Sequence, residues 1–257
     1  GTVDFNGYTL MNRNLGALAN DNSTTDKILA SYGLYYQWGR KDPFPAAPTL
    51  TGTTATVGAP IYDGDNNEIK ITNSSQSSTA DNNLAFAIAN PTVCLSNYAQ
   101  FNTSRDWLQA DMSNDALWGN PKGAERNETN DFLNKGAKSF YDPCPVGWRV
   151  PPADVFRNFT ASGGYAWVID DFDIADISGD GAKSLADYDY GWTFNLSDSA
   201  SSYFPAAARF DGSYAMLMGS MSGLWGSYWG NAPYPGDMFQ GGAYSVLSFQ
   251  IKDTAGN

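Results

Sequence analysis

Residues 176–187 carry the sharpest chemical pattern in the chain. Asp176, Ser178, Asp180, Ser184 and Asp187 put oxygen side chains at positions 1, 3, 5, 9 and 12 of a twelve-residue loop, with Gly181 at position 6. Calcium takes hard oxygen ligands, and this spacing lets a single loop wrap the ion. Lys183 stands where such loops usually carry an aliphatic side chain, and the final ligand is Asp rather than Glu. Asp176, Ser178, Asp180 and Asp187 are therefore candidate calcium ligands, with Asp171 and Asp173 as further carboxylates nearby. The alternative is an acidic, glycine-rich surface turn. A similar run, Asp63 to Glu68, lacks the glycine and the final acid and reads as a hairpin turn.

A second candidate site is aromatic. Trp225, Tyr228, Trp229 and Tyr234 fall in a stretch rich in Gly, Asn and Pro, residues 223–242. Loops on a rigid scaffold often carry binding function. Sugar faces stack on indole and phenol rings, and Asn231, Asp237 and Gln240 offer hydrogen bonds to hydroxyls. The competing expectation is core packing, strongest for Tyr228 and Trp229. Tyr35, Tyr36, Trp38 and Trp148 read as core.

Histidine is absent, which removes the commonest general base and the commonest transition-metal ligand. The two cysteines, Cys94 and Cys144, are too few for a structural zinc site. They could form one disulfide in an oxidising compartment or remain buried thiols, and their spacing does not decide between these. Adjacent carboxylates such as Asp170 and Asp171 do not establish the separation that a glycosidase needs. No cofactor is expected beyond the calcium left open above, and the chain is expected not to be an enzyme.

Charge narrows the partners. The net charge of −12 repels phosphate backbones and anionic membrane surfaces, so nucleic acid is not an expected partner. No stretch is long and apolar enough to span a membrane. Charged residues make up only 16%, below the roughly 25% of an average soluble domain. Asn, Ser, Thr and Gly take their place, as in exported β-rich proteins. The chain opens at Gly1 rather than Met, as a trimmed chain would.

The elements that must hold these residues follow from local pattern. Val3 to Met11 reads as two strands around Asn6-Gly7. Tyr32 to Arg40 has apolar residues at helical spacing and stops at Asp42-Pro43, which predicts a short helix. Pro152 to Phe159 predicts a second. Residues 45–83 look like a long surface insertion containing a hairpin. Strands are expected at Gly191 to Leu196, Tyr203 to Ala208, Ser213 to Met218 and Ala243 to Ile251. The expected class is α+β: two short helices, long irregular loops and a twisted antiparallel sheet, in one domain over residues 1–257.

Several segments together resemble a known family. They are Asn12 to Gly16, Gly33 to Phe44, Leu117 to Gly119, Tyr141 to Pro151, Phe204 to Arg209 and Gly226 to Trp229. The chain resembles the "major paralogous" domain of Bacteroidota surface lipoproteins and fimbrillin-like proteins. That resemblance implies a C-type-lectin-like fold, export to the cell surface or outer membrane, and adhesion to a glycan or surface protein of a host or neighbouring cell. A fimbrial structural or tip subunit that binds other subunits is the alternative, and a glycan hydrolase a more remote one. The Glu-Pro-Asn and Trp-Asn-Asp triplets of calcium-dependent lectins are missing, which disfavours calcium-bridged sugar binding. Family members usually end in a further cysteine-bearing strand. This chain stops at Asn257, before it, so an open sheet edge is expected.

Overall fold

The computed structural model describes residues 1–5, 7–50, 58–73, 83–95, 107, 117–119, 136–152, 155, 173–211, 216–233 and 243–250. Strands β1 (Thr2–Phe5) and β2 (Tyr8–Met11) pair antiparallel as expected, and Gly7 takes a φ of 76° in the turn, where a Cβ would be strained. Helix α1 (Thr25–Ser31) follows. The Thr24 side chain accepts the backbone N–H of Lys27, and Asp26 complements the positive end of the helix. Ile28 and Tyr32 bury against Ala207, Ala208 and Leu217.

The helix expected over Tyr32 to Arg40 is not formed. Instead β3 (Leu34–Tyr36) pairs antiparallel with β4 (Pro43–Pro45). Gly33 and Gly39 adopt φ of 77° and 75°, which stops a right-handed helix at both ends of the segment. At Gly33 a Cβ would also lie 2.7 Å from the Leu15 carbonyl. Tertiary bonds complete the override. The indole nitrogens of Trp229, Trp107 and Trp118 donate to the carbonyls of Tyr36 (2.9 Å), Trp38 (2.7 Å) and Arg40 (3.3 Å). Three side chains thus take acceptors that a neighbouring strand would otherwise satisfy.

The insertion contains the expected hairpin, β5 (Ile61–Tyr62) with β6 (Glu68–Ile69), whose turn is held by Asp63 accepting the N–H groups of Asp65 and Asn67. A parallel pair, β7 (Thr72–Asn73) with β8 (Val93–Cys94), encloses α2 (Leu84–Ala89), capped by the Asn83 side chain. Arg40 is 2% exposed and ties this region to β3. It donates to the Gln37 side chain and to the carbonyls of Val93, Ala87 and Asn90. The expected helix Pro152 to Phe159 lies mostly outside the described residues.

The later strands are β9 (Gly191–Ser197) with β10 (Ala200–Pro205), β11 (Phe210–Asp211) with β12 (Met216–Leu217), and β13 (Trp225–Pro233) with β14 (Ala243–Gln250). Among the described residues these are separate two-stranded ladders, not the single twisted sheet expected. Short strands broken by Gly and Pro cannot propagate a wide ladder. The class is α+β, with two short α-helices among small, mainly antiparallel ladders in the described residues. Phe5 and Phe249 bury in one cluster with Val155, Trp192 and Phe194, so β1 and β14 meet in a common core. No helix among the described residues is long and apolar enough to cross a membrane.

Candidate functional site: an aromatic-walled cavity

The stretch expected to be a late binding loop is largely a strand. Trp225, Tyr228, Trp229 and Asn231 all lie on β13, paired with β14. Tyr228 donates its hydroxyl to the Pro205 carbonyl at 2.7 Å, meets Phe204 edge-on and stacks on Phe249. Burial holds that phenol well above its ordinary pKa. Trp229 packs edge-on against Trp118, with ring centroids 5.9 Å apart. Asn231 is fully buried, and its backbone N–H donates to the Pro151 carbonyl. Trp225, Tyr228 and Trp229 are each half-exposed, and the Arg209 guanidinium lies 4.1 Å above the Trp225 ring. These residues are thus carried on a paired strand rather than on the loop expected, and Tyr228 and Trp229 line a cavity instead of standing on an open platform. Tyr234 and Asp237 lie outside the described residues.

A different site emerges from the segments around them. Asp142 is fully buried and organises residues 138–150. One carboxylate oxygen accepts the Cys144 N–H (2.8 Å) and the Lys138 ammonium (2.9 Å); the other accepts the Val150 N–H (2.9 Å). Lys138 also reaches the Cys144 carbonyl. The loop from Pro143 to Pro151 is thus pinned at both ends by one acid. On the opposite side, Asn14 donates its side-chain amide to the carbonyls of Ser31 and Tyr32, which anchors residues 12–15 to the end of α1.

These supports enclose a cavity of about 260 Å³. Its aromatic walls include Tyr36, Trp118, Trp148, Tyr203 and Trp229. Its polar lining includes Asn12, Arg13, Arg149 and Ser227. All six segments that carry the family resemblance contribute to this lining. Tyr36 and Trp148, expected in the core, are cavity walls, and Arg13 and Arg149 join the lining without any marked local sequence signal. The available signal for Asp142 was its place before Pro143, where an Asp side chain commonly accepts backbone N–H groups of its own turn.

The acidic loop does close. Asp176 accepts from the Ser178 hydroxyl and from the N–H groups of Gly179 and Gly181. Asp187 accepts the N–H groups of Ser178 and Ser184 and completes a capping box with Ser184. Three of the four candidate ligands, Asp176, Ser178 and Asp187, are thereby brought together. Asp180 instead accepts the N–H of Ala182. No group of three or more acidic, His or Cys side chains gathers as a metal centre among the described residues. The loop's own N–H groups hold the Asp187 carboxyl below its ordinary pKa.

Cys94 and Cys144 are both free thiols, so the pairing that the sequence left open is not made. Cys94 is buried beside Phe44, while Cys144 packs with Trp38, Trp118 and Val150 on the cavity side. Burial pushes each thiol up to about 12, and the Asp142 carboxylate adds to the effect at Cys144.

No family model, curated protein or solved structure matches the chain.

Proposed function

We propose that this chain is a binding domain of an exported cell-surface protein, built on a C-type-lectin-like scaffold, that mediates adhesion by taking up part of a glycan or surface protein. One observation carries the reading: separate segments that share a family resemblance close around one aromatic-walled cavity. Concave, mostly apolar sites with a few placed polar groups are the usual form of a ligand pocket. Indole and phenol walls suit the C–H face of a sugar ring, and the neighbouring amides and guanidinium groups suit its substituents. The ligand leaves chemically unchanged.

A fimbrial subunit is the second reading. It is favoured by Asn231, which is fully buried, and by the ring contacts that tie Tyr228 to Phe204 and Trp229 to Trp118. A glycan array separates the two. The adhesin reading expects discrete glycan hits that weaken in Trp148→Ala. A flat array, together with association of the chain with other subunits, would favour the structural role.

A further inference from the structure

We infer that the cavity selects an acidic sugar, with a carboxylate meeting the arginines and a ring face lying on the aromatic wall. This rests on the glycan-binding reading above. The chain carries 27 acidic and 15 basic residues, yet the described lining of the cavity holds Arg13 and Arg149 and no carboxylate. The charge balance of the protein is therefore inverted along this described lining.

Both arginines are held in place. Arg13 donates to the Leu18 carbonyl at 3.2 Å, and Arg149 donates to the Gly136 carbonyl. Arg149 is further positioned by the loop that Asp142 pins, because its neighbour Val150 gives its N–H to that acid. A guanidinium is always charged and has a planar fork of donors that matches a carboxylate.

The lining offers amide and hydroxyl oxygens to the hydroxyl groups that neutral and acidic sugars share, so the two arginines are what discriminates between the classes. Its polar side chains are chiefly amide, hydroxyl and guanidinium groups. Size adds a limit. A cavity of about 260 Å³ exceeds the roughly 150 Å³ that holds benzene, and falls short of pockets for long ligands. One sugar residue, at the end of a chain or alone, fits that range.

Calorimetric titration with methyl β-glucuronide and methyl β-glucoside tests the inference on the whole protein. The glucuronide should bind at least about tenfold more tightly, and the preference should shrink near about 0.5 M salt. Arg13→Gln removes an exposed charge while keeping a donor for the Leu18 carbonyl, and should reduce the preference. Leu34→Trp, at an exposed lining position, should weaken both ligands, with thermal melting as the check on folding. Equal affinities that both fall in Leu34→Trp would overturn the acidic preference and leave glycan binding at the cavity standing. Glucuronide binding unaffected by Leu34→Trp would overturn the cavity assignment. No heat with either sugar overturns the inference, and a flat glycan array beside it takes the glycan reading down as well.

Discussion

The indole nitrogen of Trp229 donates to the carbonyl of Tyr36 at 2.9 Å, joining strands that lie 193 residues apart in the chain. Both residues line the cavity. One hydrogen bond therefore ties the amino-terminal wall to the carboxy-terminal wall. Trp229→Phe keeps the ring contact with Trp118 but leaves the Tyr36 carbonyl without that donor. A loss of about 1–2 kcal/mol is expected in urea unfolding, together with weaker ligand binding. An unchanged midpoint would show that water replaces the indole at no cost.

Asp142 should matter more than any exposed acid. It is fully buried and accepts from two backbone N–H groups and one ammonium. Asp142→Ala orphans these donors and should cost about 3 kcal/mol or more. Where a folded fraction persists, hydrogen exchange should accelerate at Cys144 and Val150 and leave the β5–β6 hairpin unaffected.

The thiols should be nearly inert. With each held at about 12, the thiolate at pH 8 is scarce, so alkylation should run roughly a thousandfold slower than at an exposed cysteine. The Cys144 rate should climb about tenfold per pH unit from pH 8 to 10. Intact mass should be the same before and after reduction. A difference of two hydrogens would mean that Cys94 and Cys144 pair after all.

The acidic loop should hold its shape without metal, because the carboxylates of Asp176 and Asp187 accept backbone N–H groups of the loop itself. Chelator and millimolar calcium should give the same melting temperature. A calcium-dependent rise, abolished by Asp176→Ala, would establish the ion as a ligand. Asp187 has its own pH signature. Its folded-state carboxyl sits below the ordinary 3.8, so its contribution is present above that value and is lost as pH falls through the lower one. Acid destabilisation below pH 3.8 should therefore be shallower in Asp187→Asn.

The parts of the fold that were legible in the sequence are those fixed by neighbours. The β1–β2 hairpin follows from Asn6-Gly7, the β5–β6 turn from Asp63 to Glu68, and β9 and β14 from their apolar runs between turn residues, whereas β10 forms at Ala200–Pro205, ahead of the strand expected over Tyr203 to Ala208. Residues 32–40 were misread because what decides them is remote. Indoles at positions 107, 118 and 229 take their carbonyls, and Gly33 and Gly39 need a left-handed backbone that a periodicity argument does not see. The site was only half visible for the same reason. Aromatic residues near 225–229 stood out, but their pairing with β14 turned a supposed loop platform into a wall. Arg13, Asp142 and Arg149 looked like ordinary charged residues until the fold brought their segments together.

The most direct measurement is an amide NMR spectrum of the protein titrated with a glycan that binds it. Shifts concentrated at Tyr36, at Trp148 to Val150 and at Ser227 to Trp229 are expected. Shifts confined to residues 234–242, with those cavity amides unmoved, would contradict the account.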